Sequence, residues 1–395
     1  MSGIHQILLS LGFYSPPLPP PPPGGTMSLT FNVGLSPGNE VYLPLYGTVN
    51  AVINWGDGNI ETVNTPGAKI HVYSNPLGIY NVTIEGTLTR YGDISFFFFP
   101  LLYSNSQQKL ISVNQFNNGL QSLEYAFVGA TNLTSVPSSI PTSLTNLQRS
   151  FLNATNFNSP SVSSWNTSNV TNMNGTFRNC INFNQPLNSW DVSSVTNMND
   201  AFGGCITFNQ PLNSWNVSSV TDMGFMFQFC NDFNQPLNSW NVSNVTNMNG
   251  LFAACTNFNQ PLNSWDVSSV TTMRETFNNC TNFNQPLNSW DVSSVTDMSF
   301  MFQDCTNFNQ PLNSWNVISV TNMDSMFQRC DIFDQPLDLW NVSSVSNMER
   351  MFNSCISFDQ DLSGWCVIFI PEQPVGFDDG ANNWILPRPI WGTCP

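Results

Sequence analysis

Cysteine is the reactive residue that recurs most regularly in this chain: eight of its ten copies are spaced 25 residues apart, from Cys180 to Cys355. Zinc binding and nucleophilic catalysis both need partner side chains close to the thiolate. No C-x-x-C pair is present, and the only histidines, His5 and His71, lie far from the series. The spacing favours reduced, close-packed thiols over disulfides between neighbouring repeats, and no metal or cofactor is expected.

Carboxylates are the next candidates for chemistry, since a pair of them hydrolyses glycosides. Asp191, Asp266 and Asp291 occupy one position of the repeat, but Asn takes that position at 166, 216, 241, 316 and 341. A position that accepts Asn within one chain is a poor candidate for catalysis. No nucleophile elbow, phosphate loop or zinc-hydrolase helix occurs, so we expect a protein that is not an enzyme.

The regular cysteines belong to a longer repeat, F-N-Q-P-L-N-S-W-[DN]-V-S-S-V-T-x-M-x-x-x-F-x-x-C-x-x, which returns every 25 residues. Two degenerate copies precede it, with Phe127 and Phe151 at the Phe position. Periods of this length are typical of solenoids, in which each coil buries its apolar face only against its neighbours. The sequence therefore predicts a stack of coils with a continuous core.

Within one repeat, Val270, Met273, Phe277 and Cys280 are spaced 3, 4 and 3 residues apart, which predicts one face of a short helix. Upstream, Trp265 and the residues after it alternate in polarity, which predicts a short strand. The expected architecture is an α/β solenoid with parallel strands, one short strand and one short helix per coil.

Three sets of residues are expected to form structural ladders through this stack. The Asn of F-N-Q-P can bond neighbouring coils through its side-chain amide, while the Trp and Cys positions pack the core. These ladders are Asn184, Asn209, Asn234, Asn259, Asn284 and Asn309; Trp190, Trp215, Trp240, Trp265, Trp290 and Trp315; and Cys205, Cys230, Cys255, Cys280 and Cys305.

Variation between repeats concentrates after the Met, at pairs such as Asn174-Gly175 and Arg274-Glu275. Phe225, Phe229 and Phe300 stand where other repeats carry polar residues or Gly. Exposed apolar residues often mark contacts, so these three are a possible contact face. Partial burial between neighbouring helices is the competing interpretation.

Upstream of the repeats, a polyproline run at 16–25 predicts an extended spacer. Strands are expected at Ser28–Val33, Val49–Trp55, Ile70–Tyr73 and Tyr80–Ile84, where β-branched and aromatic residues alternate between turns. The order W-G-D-G, then H-x-Y, then G-x-Y-x-V-x-I resembles the PKD-type immunoglobulin-like domain, which implies a small β-sandwich. Asp57 in the W-G-D-G turn is expected to be a turn residue rather than a metal ligand, and His71 a strand residue.

The repeats themselves resemble those of BspA-like leucine-rich-repeat surface proteins, in the subtype with W-D-V-S-x-V-x-x-M and F-x-x-C. The ending, with Trp365-Cys366 and Trp391-Gly-Thr-Cys394, resembles that family's terminal cap, and a disulfide between Cys366 and Cys394 is expected there. The domain prediction has five segments. They are 1–26, attachment segment and linker; 27–105, β-sandwich; 106–160, transition and degenerate repeats; 161–365, solenoid; and 366–395, cap.

The net negative charge of the chain limits which kinds of partner it can bind. Nine Lys plus Arg face 25 Asp plus Glu, a formal charge of −16, so nucleic acid is not expected to bind. No apolar run reaches the ~18 residues of a membrane span, and no signal peptide is recognisable.

Resemblance and composition together indicate a virion or cell-surface appendage, held to other surface or virion proteins through its N-terminal segment. The sequence leaves open whether the protein is a homo-oligomer. A glycan- or receptor-binding adhesin of a bacterial or protist surface is one alternative. An intracellular protein-interaction scaffold is the other.

Overall fold

A computed structural model describes residues 24–93 and 100–395. Most of the predicted attachment segment and its polyproline spacer lies outside these residues. Strands β1 (Gly25–Asn32), β2 (Glu40–Asn54), β3 (Ile60–Val63), β4 (Gly67–Val72) and β5 (Ile79–Tyr91) come first. Helix α1 (Pro100–Lys109) and strand β6 (Leu110–Gln115) follow. Two 3₁₀ turns, Val33–Leu35 and Pro160–Ser164, complete the regular elements of the described chain.

The N-terminal strands form one antiparallel sheet in the order β3-β2-β5-β1-β6. β4 pairs with the first part of β2 and β3 with its last part, so the two follow one another along the same edge of the sheet. The four predicted strands are therefore present, with extended bounds. The predicted small β-domain is thus an antiparallel sheet, in which hydrogen bonds join all six described strands.

Sheet and repeats share a single hydrophobic core that runs from Met27 in β1 to Trp384 near the C-terminus. Strand β5 begins the stack, because Arg90 forms a parallel bridge with Ser122 in the first degenerate repeat. Tyr91 packs on Phe127 with their rings 5.9 Å apart. The sheet thus covers the first coil, whose backbone and apolar face would otherwise meet water.

Beyond the bridge between Arg90 and Ser122, parallel bridges connect equivalent residues of successive repeats, so the repeats stack as coils. The bridged residue is the one before the Met, not the expected Trp-Asp-Val segment. The row of bridges runs through Arg90, Ser122, Asn146, Asn172, Asn197, Asp222, Asn247, Thr272, Asp297, Asn322 and Asn347.

The helix expected in each coil is absent, and two consecutive tight turns take its place, with a third turn, from the carbonyl of Gly175 to the N–H of Arg178 in one coil, overlapping both. In one coil the carbonyl of Met173 accepts from the N–H of Thr176, and the carbonyl of Phe177 accepts from that of Cys180. The third residue of each turn, Gly175 or Asn179, has φ near +60°. A positive φ at that position defines a type II turn. We call this segment the Met–Cys turns.

Alternate N–H groups of the Met–Cys turns point along the stack instead of into their own coil. Those of Met173, Gly175, Phe177 and Asn179 donate to carbonyls of the next coil, over 2.7–2.9 Å. A helix would direct all of these donors within the coil and remove these four backbone bonds between neighbouring coils. The turns therefore satisfy the backbone and bind the coils together.

Left-handed backbone recurs at two positions in every coil and forms two columns along the stack. The first column is Gly175, Asp200, Phe225, Gly250, Glu275, Phe300, Ser325 and Arg350. The second column is Asn179, Gly204, Phe229, Ala254, Asn279, Asp304, Arg329 and Ser354.

A neighbouring pair of alanines tests this backbone assignment. Ala254 lies in the second column with φ of 61°, whereas Ala253 beside it has no positive φ. Both side chains are buried, so replacement by Gly removes the same methyl group from each site. Only at 254 does Gly also relieve left-handed strain, of about 1–2 kcal/mol. We expect Ala253→Gly to lower the free energy of unfolding by about that much more than Ala254→Gly.

Chemical denaturation of the two variants and the parent protein measures this difference. Equal losses at the two positions would contradict the turn geometry, and a helix at 248–255 would give that result.

Candidate binding surface

The predicted asparagine ladder residues lie at the turn that enters each coil. The Oδ1 of Asn234 accepts from the backbone N–H of Asn259 at 3.0 Å and from the Nε2 of Gln260 at 2.9 Å. The same pair of bonds recurs from Asn184 to Asn309, with every distance between 2.9 and 3.1 Å. Each side chain thus satisfies a backbone donor of the next coil.

The tryptophan and cysteine residues line the core. The indole N–H of Trp265 donates to the carbonyl of Leu237 in the preceding coil at 3.0 Å, and its ring stacks on that of Trp240. The thiol of Cys280 contacts the carbonyl oxygen of Phe252 at 2.9 Å. Equivalent contacts involve Trp190, Trp215, Trp240, Trp290, Trp315, Cys205, Cys230, Cys255 and Cys305.

Burial makes these ladder thiols unreactive. All eight cysteines of the 25-residue series, from Cys180 to Cys355, are free and buried, and desolvation raises the pKa of each thiol. A nucleophilic cysteine needs the opposite, an exposed thiolate beside a positive charge. Among the described residues no group of three or more His, Cys, Asp or Glu side chains could hold a metal ion.

The carboxylates considered for catalysis cap turns instead. The Oδ1 of Asp191 accepts from the backbone N–H and hydroxyl of Ser193, and these two bonds lower the pKa of its carboxyl group. Asp266 makes the same two contacts with Ser268. In Asp291 the hydrogen bonds of Ser293 also lower the pKa. An Asn side chain accepts the same backbone bond in other repeats, as Asn241 does from Ser243, which explains the alternation.

Asp57 and His71 are paired at the end of the sheet. The Nε2 of His71 lies 2.8 Å from the Oδ2 of Asp57, and its ring stacks on Trp55. Partial burial acts to raise the pKa of Asp57, but the hydrogen bonds of His71 and Asn59 bring it below its ordinary value. The Asp57 carboxylate also accepts from the backbone of Asn59, as a turn residue does.

The C-terminal segment covers the last coil. Cys366 and Cys394 form a disulfide. The N–H of Phe352 donates to the carbonyl of Phe377 at 2.8 Å, which continues the coil-to-coil pattern into the cap. Trp384 then packs edge-on against Phe358, and Arg388 lies over the Trp384 ring. The N–H groups of Arg350 and Ser354 likewise donate to the cap, at Val375 and Asp379.

Positively charged side chains gather on one side of the stack, the turn face, which we define as the solvent-facing positions of the Met–Cys turns. Ion pairs there join Arg178 to Asp200 and Arg329 to Asp304. Within residues 120–365, every positively charged side chain lies on this face. These residues are Arg149, Arg178, Arg274, Arg329 and Arg350.

The three phenylalanines predicted as a contact face also lie on the turn face, and all have left-handed backbone. Phe229 is 53% exposed, and Phe225 and Phe300 are partly exposed. The guanidinium of Arg274 lies 4.6 Å from the ring centre of Phe300. The three residues lie in the left-handed columns, with Phe225 and Phe300 in the first, three coils apart, and Phe229 in the second.

Asp200 is the most perturbed acid of the turn face. It is 6% exposed and has left-handed backbone. Burial raises the pKa of its carboxyl group to about 6, although Arg178 and Arg149 act against that rise. Sequence reasoning missed this residue, since Asp200 stands in a column that varies and shows no motif.

The raised pKa of Asp200 predicts a pH-dependent stability. A group whose pKa is higher in the folded state stabilises the fold below its unfolded pKa of about 4, and this stabilisation is lost as pH rises through the folded value. We therefore expect Asp200→Asn to be more stable than the parent above pH 6, by up to about 2–3 kcal/mol. The advantage should shrink as pH falls toward about 4.

Thermal melting across this pH range measures the effect, and Asp304→Asn is the matched control because that carboxylate is also paired with an arginine, Arg329, but is only partly buried. A constant difference between Asp200→Asn and the parent at all pH values would rule out the assignment.

The turn geometry and the ladders define the class of this protein: a stack of 25-residue repeats closed by a β-sheet at one end and a disulfide-linked cap at the other. A family model described as "Mycoplasma protein of unknown function, DUF285" matches three overlapping segments, residues 121–228, 145–264 and 246–365. Together they span 121–365, more than half of the chain. The chain therefore belongs to the DUF285 family, in line with its resemblance to BspA-like repeats.

Two solved structures show distant likeness. One is the TLR13–ssRNA13 complex, with 10% identity, a TM-score of 0.18, and coverage of 62% of this chain and 55% of that chain. The other is the LRR ectodomain of the plant membrane receptor kinase GASSHO1/SCHENGEN3 from Arabidopsis thaliana in complex with CASPARIAN STRIP INTEGRITY FACTOR 2. Its identity is 11%, its TM-score 0.15, and the coverage 65% and 47%.

This chain spans about half the length of each of these two proteins. Their TM-scores are too low to support a conclusion about the fold or the function of this chain. No curated protein matches the chain. In the part of the chain that the structure describes, no helix is long and apolar enough to cross a membrane.

Proposed function

We propose that this protein is a non-enzymatic surface protein, a virion or cell-surface appendage whose leucine-rich-repeat-like solenoid displays a binding face. The observation that supports the proposal most strongly is the contrast, within each coil, between uniform structural positions and variable surface positions. The Trp and Cys ladders are nearly uniform and buried, and the Asn ladder is nearly uniform and partly buried, while sequence variation and the positive charge of the repeats gather on the turn face. A scaffold alone would not need such differences between otherwise identical coils.

The N-terminal sheet supports this arrangement, because it closes one end of the stack. In this proposal the sheet is a PKD-like spacer, and the segment before it attaches to other surface or virion proteins. The acidic surface keeps an extended particle soluble and disfavours nucleic acid as a partner.

A second candidate function is adhesion to a repetitive glycan through a different, uniform row. Seven exposed threonines repeat at 171, 196, 221, 246, 271, 296 and 321, each N–H bonded to the threonine of the preceding coil. Hydroxyl groups at the spacing of neighbouring strands, ~4.8 Å, could meet a ligand that is itself periodic. A glycan array with the whole protein tests this function, and silence on the array would leave the turn face as the binding surface.

Immunogold labelling of intact particles and cells, with an antibody against the repeats, tests the appendage directly. We expect label on the exterior, because the proposal places the repeats outside. Label confined to the cell interior would remove the surface premise and favour an intracellular scaffold.

Loss of residues 1–25 gives a second test of attachment. The truncated protein should be released from its particle into the soluble fraction, while its melting temperature stays close to that of the parent. Unchanged retention on the particle would contradict attachment through this segment.

A further inference from the structure

The residue that follows the ladder Trp in each repeat, Asp or Asn, forms a row along the stack outside the turn face. We call it the Asx row. All of its side chains are exposed, and each Oδ1 accepts from the backbone N–H two residues later, at 3.0–3.3 Å. The row consists of Asn166, Asp191, Asn216, Asn241, Asp266, Asp291, Asn316 and Asn341.

This shared bond fixes the direction of each amide in the row. Because the Oδ1 of Asn341 accepts from the backbone N–H of Ser343 at 3.1 Å, its Nδ2 is the atom on the other side of the amide. The Nδ2 atoms of the five asparagines in the row form no hydrogen bond with any of the described residues. These amide nitrogens are therefore open to solvent.

Four of the five asparagines also begin Asn-x-Ser, the acceptor sequence of N-glycosylation. They are Asn166, Asn216, Asn241 and Asn341. The fifth, Asn316, is followed by Ile318 at the third position. In one coil the hydroxyl of Ser218 donates to the Oδ1 of Asn216 at 2.7 Å, so the amide and the hydroxyl of the acceptor sequence are in contact.

Two Asn-x-Thr sequences in the same stack use their amide nitrogen to join coils. The Nδ2 of Asn244 donates to the carbonyl of Ser218 at 2.7 Å, and that of Asn169 to the carbonyl of Thr142 at 2.8 Å. A sugar on either nitrogen would be directed at the preceding coil. Asn241 and Asn244 are thus a matched pair in one turn, the first with an open nitrogen and the second with an engaged one.

We infer that the Asx row carries N-linked sugars, at Asn166, at Asn341 and at one of Asn216 and Asn241. The Nδ2 forms a bond to the anomeric carbon of an activated sugar, and the bond from that carbon to a pyrophosphate breaks. The pyrophosphate leaves on its lipid or nucleoside carrier, and the transferase takes one proton from the amide. Asn216 and Asn241 stand one strand spacing apart, ~4.8 Å, which is too close for two sugars side by side.

This inference rests on the proposed function, because Asn-x-Ser on an exposed turn is typical of a protein displayed outside the cell. Attached sugars add a bulky, hydrated surface to the stack. Since the Asx row lies outside the Met–Cys turns, this surface leaves the turn face free to bind a partner.

The chain supplies matched controls for the test. Asn341→Asp removes the acceptor nitrogen and keeps the turn, because Asp191 accepts the same backbone bond. Adding Ile318→Ser to that variant creates Asn-x-Ser at Asn316, in an equivalent turn of the neighbouring coil. Ser is the residue at this position in other coils, such as Ser343.

The parent protein, isolated from its native source with the antibody against the repeats, and the two variants made in that source are digested and mapped by mass spectrometry. Trypsin leaves 179–274 as one peptide, since no Lys or Arg lies between Arg178 and Arg274. Its mass counts the sugars on Asn216, Asn241 and Asn244 together, and fragment spectra assign the site. An attached oligosaccharide indicates a lipid-linked donor, and a single hexose indicates a nucleotide-linked donor.

We expect sugars at Asn166 and Asn341, one sugar on the 179–274 peptide, and none at Asn169 or Asn244. Asn341→Asp should lose one site, and the added Ile318→Ser should restore one at Asn316. Unmodified Asn341, no gain at Asn316, or modification of Asn244 as complete as that of Asn241 would overturn the inference. Exterior labelling of a protein without sugars would leave the proposed function standing, whereas sugars on a protein labelled only inside cells would remove that function and leave this inference.

Discussion

Hydrogen bonds from one coil to the next, through the Met–Cys turns, are the interaction on which the rest of this structure depends. They require every second N–H to point along the stack, which a 25-residue coil achieves by two type II turns in succession. Each of these type II turns requires one residue with left-handed backbone. The two left-handed columns are therefore a direct consequence of how the coils are joined.

Once the coils are fixed at this spacing, the side-chain ladders follow. A residue that is buried in one coil faces its equivalent in the next, so aromatic rings stack and amides can bond forward. Trp265 reaches back to Leu237, while Asn259 and Gln260 both donate to the same oxygen of Asn234. The stack must end somewhere, and the β-sheet and the disulfide-linked cap cover its two ends. Freedom to vary remains only where side chains face solvent, and that is where charge and exposed phenylalanine gather.

Much of this arrangement could be predicted from the sequence, because 25-residue periodicity states which residues are equivalent. The buried set Val270, Met273, Phe277 and Cys280 is also predicted, and all four are buried. The secondary structure of that set could not be read from its spacing. Two four-residue turns return the chain to the core at intervals of three and four, as a helix does. Gly, Asn and Asp at the left-handed positions, such as Gly175 and Asn179, were the available signal against a helix.

In the N-terminal region, too, the sequence predicts the elements but not their arrangement. Alternating polarity located four strands, but it does not state which strands share a sheet, since pairing is decided by distant parts of the chain. β6 follows directly on α1 and pairs with β1, far earlier in sequence. For the candidate surface, the sequence singled out Phe225, Phe229 and Phe300 by their departure from the repeat. Their strained backbone and the buried acid Asp200 depend on coil geometry that no local pattern encodes.

The helix content of the whole protein in solution is the most direct test of this account. Far-UV circular dichroism should show a spectrum of turns and β-structure, with little helical signal beyond the ten residues of α1. A strongly helical spectrum, equivalent to one short helix in every repeat, would contradict the Met–Cys turns and the coil-to-coil hydrogen bonds that they provide.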